Sequence, residues 1–279
     1  MKTISDFHQM KKNGQKIVML TAYDYPSARL AQEAGMDVIL VGDSLGMVVL
    51  GYDSTVPVTM ADMIHHSRAA RRGATDTFML ADMPFLTYQI SPAQALENAA
   101  RLVQEGGCEG IKVEGGEEIA PQVRALTAAG IPVCGHIGLT PQSVTALSGY
   151  KVQGRTAEAA KKLLRDALAL EDAGAFMIVL ECIPAQVADH ISRKLSIPTI
   201  GIGGGAQCDG QVLVFHDTLG LFDRFVPKFV KQFETLGVKA KQALSDYAGE
   251  VRSGAFPDAA HSFSMSEDQL QKIYGAGDS

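Results

Sequence analysis

The sequence predicts a (β/α)8 TIM barrel, an α/β fold, on three observations. Eight apolar, strand-like runs alternate with helix-like runs as far as about residue 217. The joints repeat one pattern, a helix closed by Ala-Gly or Gly-Gly and then a strand, as in AGMDVIL, GGCEGIKV, AGIPVCG and AGAFMIV. Four of the runs end on a carboxylate, at Asp43, Asp82, Glu114 and Glu181.

The strand runs are KIVMLTAYD (16–24), DVILVGDS (37–44), TFMLADMP (77–84), GIKVEGG (110–116), IPVCGHIGL (131–139), FMIVLECI (176–183), IPTIGIGGG (197–205) and QVLVFHD (211–217). They are near-continuous in hydrophobicity, as parallel strands covered on both faces are. Between the third and fourth lies SPAQALENAARLVQEGG (91–107), with Ser91 as N-cap, Pro92 at the first helical position and a Gly stop. RTAEAAKKLLRDALALEDAGA (155–175) reads as a long helix ending at Gly174. No helix signal separates the last two strands, which keeps a doubly wound sheet as the alternative architecture. After residue 226 one or two packing helices are expected, and residues 262–279 read as a flexible tail on a single domain spanning 1–279.

Composition narrows the function classes. The 279 residues suffice for one large barrel, and 46% hydrophobic with 20% charged residues is ordinary for a globular chain. A net charge of −6 argues against a nucleic-acid partner, because phosphate binding needs clustered Lys and Arg. The Arg68, Arg71 and Arg72 cluster reads as a solvated helix face. No apolar stretch reaches the roughly 18 residues a membrane span needs, and MKTISDFHQMKKNGQK has no signal-peptide core. The four cysteines, Cys108, Cys134, Cys182 and Cys208, are scattered, with Cys134 and Cys182 inside apolar runs. Buried thiols imply a reducing compartment, hence the cytoplasm.

A buried strand that ends on an ionised carboxylate is costly unless a cation, a proton or hydrogen-bond donors compensate it. One such ending is explained by a helix N-cap. Four gathered at one end of a sheet point to an active site, since a parallel barrel builds its site at the C-terminal ends of its strands. Asp43, Asp82 and Glu114 come from the adjacent second, third and fourth strands, and all-oxygen ligation suits Mg²⁺ or a related hard ion. Glu181, between MIVL and Cys-Ile-Pro, suits a general base. Lys112 shares a strand face with Glu114 and fits an anionic substrate. Ser44 offers a hydroxyl or amide to a substrate carboxylate. His136, in CGHIGLTPQS, fits a substrate-binding residue, a donor supporting the site, an acid, or a satisfied core residue. His216 is a weaker candidate, and the adjacent His65 and His66 are expected at the surface. Gly201-Ile-Gly203-Gly204-Gly205-Ala206 matches a dinucleotide-binding pattern by letter, but no helix follows it.

Several long motifs, TAYDYPSARLAQEAGMDVILVGDSLGMVVLGYDSTVPVTMADM, KVEGGE, CGHIGLTPQSV, GYKVQGR, LECIP and DGQVLVFHD, together resemble the ketopantoate hydroxymethyltransferases, from about residue 3 to residue 263. The resemblance implies a barrel of the phosphoenolpyruvate/pyruvate type, assembled as a homodecamer, that moves a one-carbon unit from 5,10-methylenetetrahydrofolate to 3-methyl-2-oxobutanoate. Asp43, Asp82 and Glu114 match the family's Mg²⁺ site. Asp43, Ser44, Asp82 and Lys112 match its 2-oxoacid contacts, and Glu181 matches its proton acceptor. GIGGG stands where many relatives carry GIGAG, and the tail after His261 runs longer than in some relatives. Two rival readings keep the barrel: a carbon–carbon lyase or phosphonomutase, whose KKCGH-like loop is absent, and a non-catalytic paralogue that binds folate or 2-oxoacid.

Overall fold

Each of the eight apolar runs contains a strand, trimmed at its ends relative to the sequence pattern. In the computed structural model, which describes residues 1–146 and 149–275, the strands are β1 (Ile17–Thr21), β2 (Val38–Val41), β3 (Phe78–Asp82), β4 (Gly110–Glu114), β5 (Val133–Gly138), β6 (Met177–Glu181), β7 (Thr199–Ile202) and β8 (Gly210–Leu213). They pair in sequence order into a closed parallel barrel, with β8 returning to β1. Closure excludes the doubly wound sheet. It also leaves no unpaired sheet edge.

At the eighth run the strand ends early, at Leu213. Only Gly210–Leu213 is strand, and Phe215–Thr218 turns into a short helix that carries His216 and Asp217. The run was read as strand to residue 217 because a short apolar stretch does not by itself distinguish strand from buried helix.

Helices cover the outside. Pro92–Gln104 follows β3 and is capped as expected, its Ser91 hydroxyl accepting the Gln94 N–H at 3.1 Å. Ala157–Asp172 follows β5, with Thr156 as N-cap, and Gly174 closes it in the left-handed conformation at φ 98°. No helix separates β7 from β8. Two apolar layers result. One lies between sheet and helices and includes Ile39, Met79, Ile111, Leu126, Leu170 and Ile178. The other fills the barrel itself, with Met19, Leu40, Phe78, Leu80, Val179 and Val212.

The polar-looking N-terminal segment forms a helix, Ile4–Lys12, held by a capping box between Thr3 and Asp6. Its Phe7 packs edge-on against Phe78, with ring centroids 5.3 Å apart, and lies beside Phe176. This helix therefore belongs to the barrel-interior cluster rather than to the outer layer.

Beyond the barrel the chain departs from expectation. Leu236–Ser253 is one long helix, and none of its residues is buried. It is therefore not a helix packed on the barrel. The stretch read as a flexible tail contains a helix at Glu267–Tyr274, and residues 276–279 lie outside the described ones. No helix among the described residues is long and apolar enough to cross a membrane.

Two surface readings also change. Arg71 is not a solvated side chain: it pairs with Glu109 and donates to the carbonyls of Gly107, Ala74 and Thr77. His66 turns inward and its Nδ1 lies 2.7 Å from the Tyr23 carbonyl, whereas His65 is exposed. Neither contact had a periodic signature in sequence.

Candidate active site

Register places the site's charged groups. Across the sheet Asp82 pairs with Lys112, Glu114 with His136, and Gly138 with Glu181. These side chains stand at the C-terminal ends of β3 to β6, and Asp43 follows the end of β2 by two residues. Asp43, Ser44, Asp82, Lys112, Glu114, His136 and Glu181 all line one cavity of about 570 Å³. Every residue that sequence reading offered for the site, other than His216, is thus brought to one place. His216 is not among the lining residues, and its ring stacks 5.6 Å from that of Tyr23.

Two glycines make this convergence possible. At Gly42 a Cβ would sit 3.3 Å from Asp82 Oδ2 and 2.9 Å from Ser44 Oγ. At Gly138, where φ is 99°, a Cβ would meet the Glu181 carbonyl at 2.2 Å. Only a residue without a side chain allows β5 to run so close to the end of β6.

Inside the cavity the carboxylates are tied to specific partners. Asp82 Oδ2 accepts the Asp43 backbone N–H at 2.9 Å, and Asp82 Oδ1 lies 2.7 Å from Lys112 Nζ. That ion pair is close but poorly aligned, so the buried Oδ1 has no directed hydrogen bond. Asp43 Oδ2 accepts from Gln142 Nε2 at 2.9 Å, and Glu114 Oε2 accepts from the Gln142 backbone N–H at 3.0 Å. Tyr88 braces β4: its hydroxyl accepts the Glu114 N–H at 2.9 Å. His136 bridges the remaining acids, with Nδ1 3.4 Å from Glu114 Oε1 and Nε2 3.2 Å from Glu181 Oε2. The Ser44 hydroxyl is 2.8 Å from that of Tyr23.

Electrostatics follow from this crowding. Burial, reinforced by the charges of Asp82 and Glu114, pushes the Asp43 carboxyl well above the usual carboxylate range. Glu114 is also buried, but His136, Lys112 and the Gln142 amide outweigh that and hold it low. For Lys112, burial opposes the charge, yet Asp82, Glu114 and Asp43 together raise the ammonium above its ordinary value. His136 is opposed by burial and by Lys112, but its bonds to Glu114 and Glu181 raise it to about 9. Protonated, it is a cation lying between the two glutamates, within 3.4 Å of Glu114 and 3.2 Å of Glu181.

A surplus of negative charge remains. Oxygen ligands of this kind are what a hard divalent cation takes, and the raised Asp43 carboxyl together with the undirected Asp82 Oδ1 fit such an ion. Among the described residues, however, no three His, Cys, Asp or Glu side chains are gathered closely enough to hold one metal. The physical reason is visible: Asp82 is drawn toward Lys112, and Glu114 toward Gln142 and His136.

Sequence reading missed Gln142, Tyr88 and Tyr23, which are neutral and so escape a search for strand-end charge. It also read Cys182 as a buried strand thiol. Cys182 instead is half-buried, lines the cavity and has a left-handed backbone at φ 48° directly after Glu181. All four cysteines are free thiols.

Comparison with known proteins places the chain in a family. The family model described as ketopantoate hydroxymethyltransferase matches residues 1–259. A protein of Oleidesulfovibrio alaskensis named 3-methyl-2-oxobutanoate hydroxymethyltransferase is 59% identical over 271 residues, covering 96% of this chain and 94% of its own. Relatives of the same name from Carboxydothermus hydrogenoformans and Bacillus cereus are 58% and 57% identical, covering 98% and 99% of this chain and 99% of their own. Among solved structures, phosphonopyruvate hydrolase in complex with oxalate and Mg²⁺ superposes with a TM-score of 0.61 at 14% identity, covering 99% of this chain and 95% of its own. A 2,3-dimethylmalate lyase of the PEP mutase/isocitrate lyase superfamily gives 0.59 at 18% identity, over 98% of this chain and 95% of its own. At such identities these two share the fold alone. A closed eight-stranded barrel with its acids at one rim, and a match over nearly the whole chain, make this protein an enzyme of the ketopantoate hydroxymethyltransferase family.

Proposed function

We propose that the enzyme transfers a hydroxymethyl group from 5,10-methylenetetrahydrofolate to 3-methyl-2-oxobutanoate, giving 2-dehydropantoate for pantothenate biosynthesis. The supporting observation is the shared cavity, in which Asp43, Asp82, Glu114, Glu181 and Lys112 face one space. Asp43, Asp82 and Glu114 would hold Mg²⁺ or another hard divalent ion. That ion, when bound, supplies Lewis acidity at the substrate's oxo group.

The chain's own residues do the rest. Lys112 and Ser44 receive the 2-oxoacid, the buried ammonium of Lys112 opposing the negative charge that builds on it. Asp43 and Asp82 fix its orientation. Glu181 takes the C3 proton. His136 positions Glu181 through Nε2 and steadies Glu114 through Nδ1. Water hydrolyses the methylene bridge of the folate, breaking both of its C–N bonds and releasing tetrahydrofolate and formaldehyde. The electron pair left on C3 adds to the formaldehyde carbon, and the resulting alkoxide takes up the proton that Glu181 removed. Leu139, Val152, Val179 and Ile202 give the cavity apolar walls that limit competing solvent.

The enzyme acts as a homo-oligomer in this reading, a homodecamer by resemblance to the family. The unburied helix Leu236–Ser253, which exposes Val238, Leu244 and Tyr247, supports burial against further copies. Free thiols, three of them buried, support a reducing, cytoplasmic setting. The test is direct. Purified enzyme with Mg²⁺, the oxoacid and methylenetetrahydrofolate should form 2-dehydropantoate, followed by mass spectrometry. Cleavage of 2-oxoacids or malates without folate-dependent addition would support a lyase and overturn the proposal.

A further inference from the structure

One part of the cavity wall has no role in proton abstraction or in holding the cation. It runs from the end of β8 through the helix Phe215–Thr218 to Phe229, on the side of the barrel away from β3 and β4. Within it Asp217 is 8% exposed and lines the cavity, yet its Oδ1 has no hydrogen-bond partner among the described residues. No Lys or Arg among the described residues pairs with it. Burial alone pushes its carboxyl up to about 6, so it is an acceptor at neutral pH with nothing donated to it. A buried, unsatisfied carboxylate is costly to keep, and a ligand that brings donors relieves that cost.

The surroundings narrow the ligand. Val214, Phe222, Phe225 and Phe229 give this lobe an apolar, largely aromatic lining, suited to a flat ring system. Arg224 and Lys228 stand at the same wall of a cavity whose floor is acidic. Among the described residues Arg224 is held only by the exposed Asp53, 3.7 Å away, and by the Gly51 carbonyl. Two cations beside an aromatic lobe suit a ligand with an apolar ring and an anionic end. A small 2-oxoacid at the acidic rim leaves much of the 570 Å³ unfilled.

We infer that this wall is the subsite for the folate co-substrate: Asp217 accepts the paired N–H donors of the 2-amino-4-oxopteridine edge, the phenylalanines flank the ring, and Arg224 with Lys228 receive the glutamate carboxylates. The inference rests on the folate donor proposed above. Two adjacent N–H groups and a carboxylate form the same bidentate fork as a guanidinium and a carboxylate, which gives both strength and orientation.

Calorimetry on the full-length protein, with tetrahydrofolate as the probe, separates the possibilities. Wild type should bind, and Asp217→Asn should bind at least 10-fold more weakly, with Asp217→Glu recovering part of the loss. The Arg224→Ala/Lys228→Ala variant should weaken tetrahydrofolate while leaving 6-methyltetrahydropterin, which lacks the tail, unchanged. Because Asp217→Asn also removes a charge from the cavity wall, a ligand-side arm uses wild type alone: a 2-desamino tetrahydropterin should bind at least 10-fold more weakly than the 2-amino compound. If wild type binds no tetrahydrofolate, the folate reading itself falls. If it binds, but neither the desamino analogue nor Asp217→Asn is weaker, the subsite assignment is overturned and the folate reading stands.

Discussion

Lys112 Nζ lies 2.7 Å from Asp82 Oδ1, and the two residues face each other as paired neighbours across β4 and β3. Both are nearly inaccessible, at 5% and 3% exposure. Such a pair is asymmetric in its energetics: intact, it contributes little net stability, but removing one partner leaves an uncompensated buried charge.

Lys112→Ala should therefore destabilise the fold by about 3–5 kcal/mol, read by urea denaturation. Replacing both members together, Lys112→Met with Asp82→Leu, should cost less than the single change while abolishing activity. A single variant as stable as wild type would show that the ammonium is not what compensates these acids.

Gln142 ties Asp43 to Glu114 by donating its side-chain amide to one and its backbone N–H to the other. Gln142→Leu removes the whole side-chain amide, its donor to Asp43 and its oxygen that accepts from the Tyr88 hydroxyl, and keeps the backbone N–H to Glu114. Residues that orient metal-binding carboxylates influence affinity strongly, so Mn²⁺ binding followed by electron paramagnetic resonance should weaken by roughly 10- to 100-fold. Unchanged affinity would mean that Asp43 is oriented by other groups.

Asp217 gives the fold a pH dependence of defined sign. Its carboxyl is raised to about 6 by burial, so the folded chain retains a proton that the unfolded chain has already released. This contribution is fully present below about pH 4 and is lost as pH rises to and through about 6. Asp217→Asn should abolish that decline and be more stable than wild type at pH 7 by about 1–3 kcal/mol. Urea unfolding at pH 4.5 and at pH 7 measures the difference. Identical pH profiles for the two proteins would place Asp217 in solvent rather than in the cavity wall.

The barrel was legible because its information is local and repeated. Each αβ joint carries its own Gly stop, and each parallel strand its own apolar run, so every unit can be read without its neighbours. The carboxylates were legible for a related reason, since charge at the end of an oily strand has few explanations. Gln142 and Tyr88 were not, because a neutral side chain becomes part of a site only through what folding places opposite it. Asp217 was hidden by a strand that ended four residues early, at Leu213, and gave way to a helical turn. The helix Leu236–Ser253 was read as packed because its apolar residues imply a partner; within one chain that partner is absent from its surface.

Glu181 carries the central claim, standing at the end of β6 with its Oε2 3.2 Å from His136 Nε2. Proton NMR of 3-methyl-2-oxobutanoate in D2O, with Mg²⁺ and enzyme but no folate, reads that role without the later steps. Wild type should exchange the C3 proton for deuterium, and Glu181→Gln should slow the exchange by at least roughly 100-fold, with Mn²⁺ affinity retained. Exchange at the wild-type rate in Glu181→Gln would contradict the account and move the base elsewhere in the cavity.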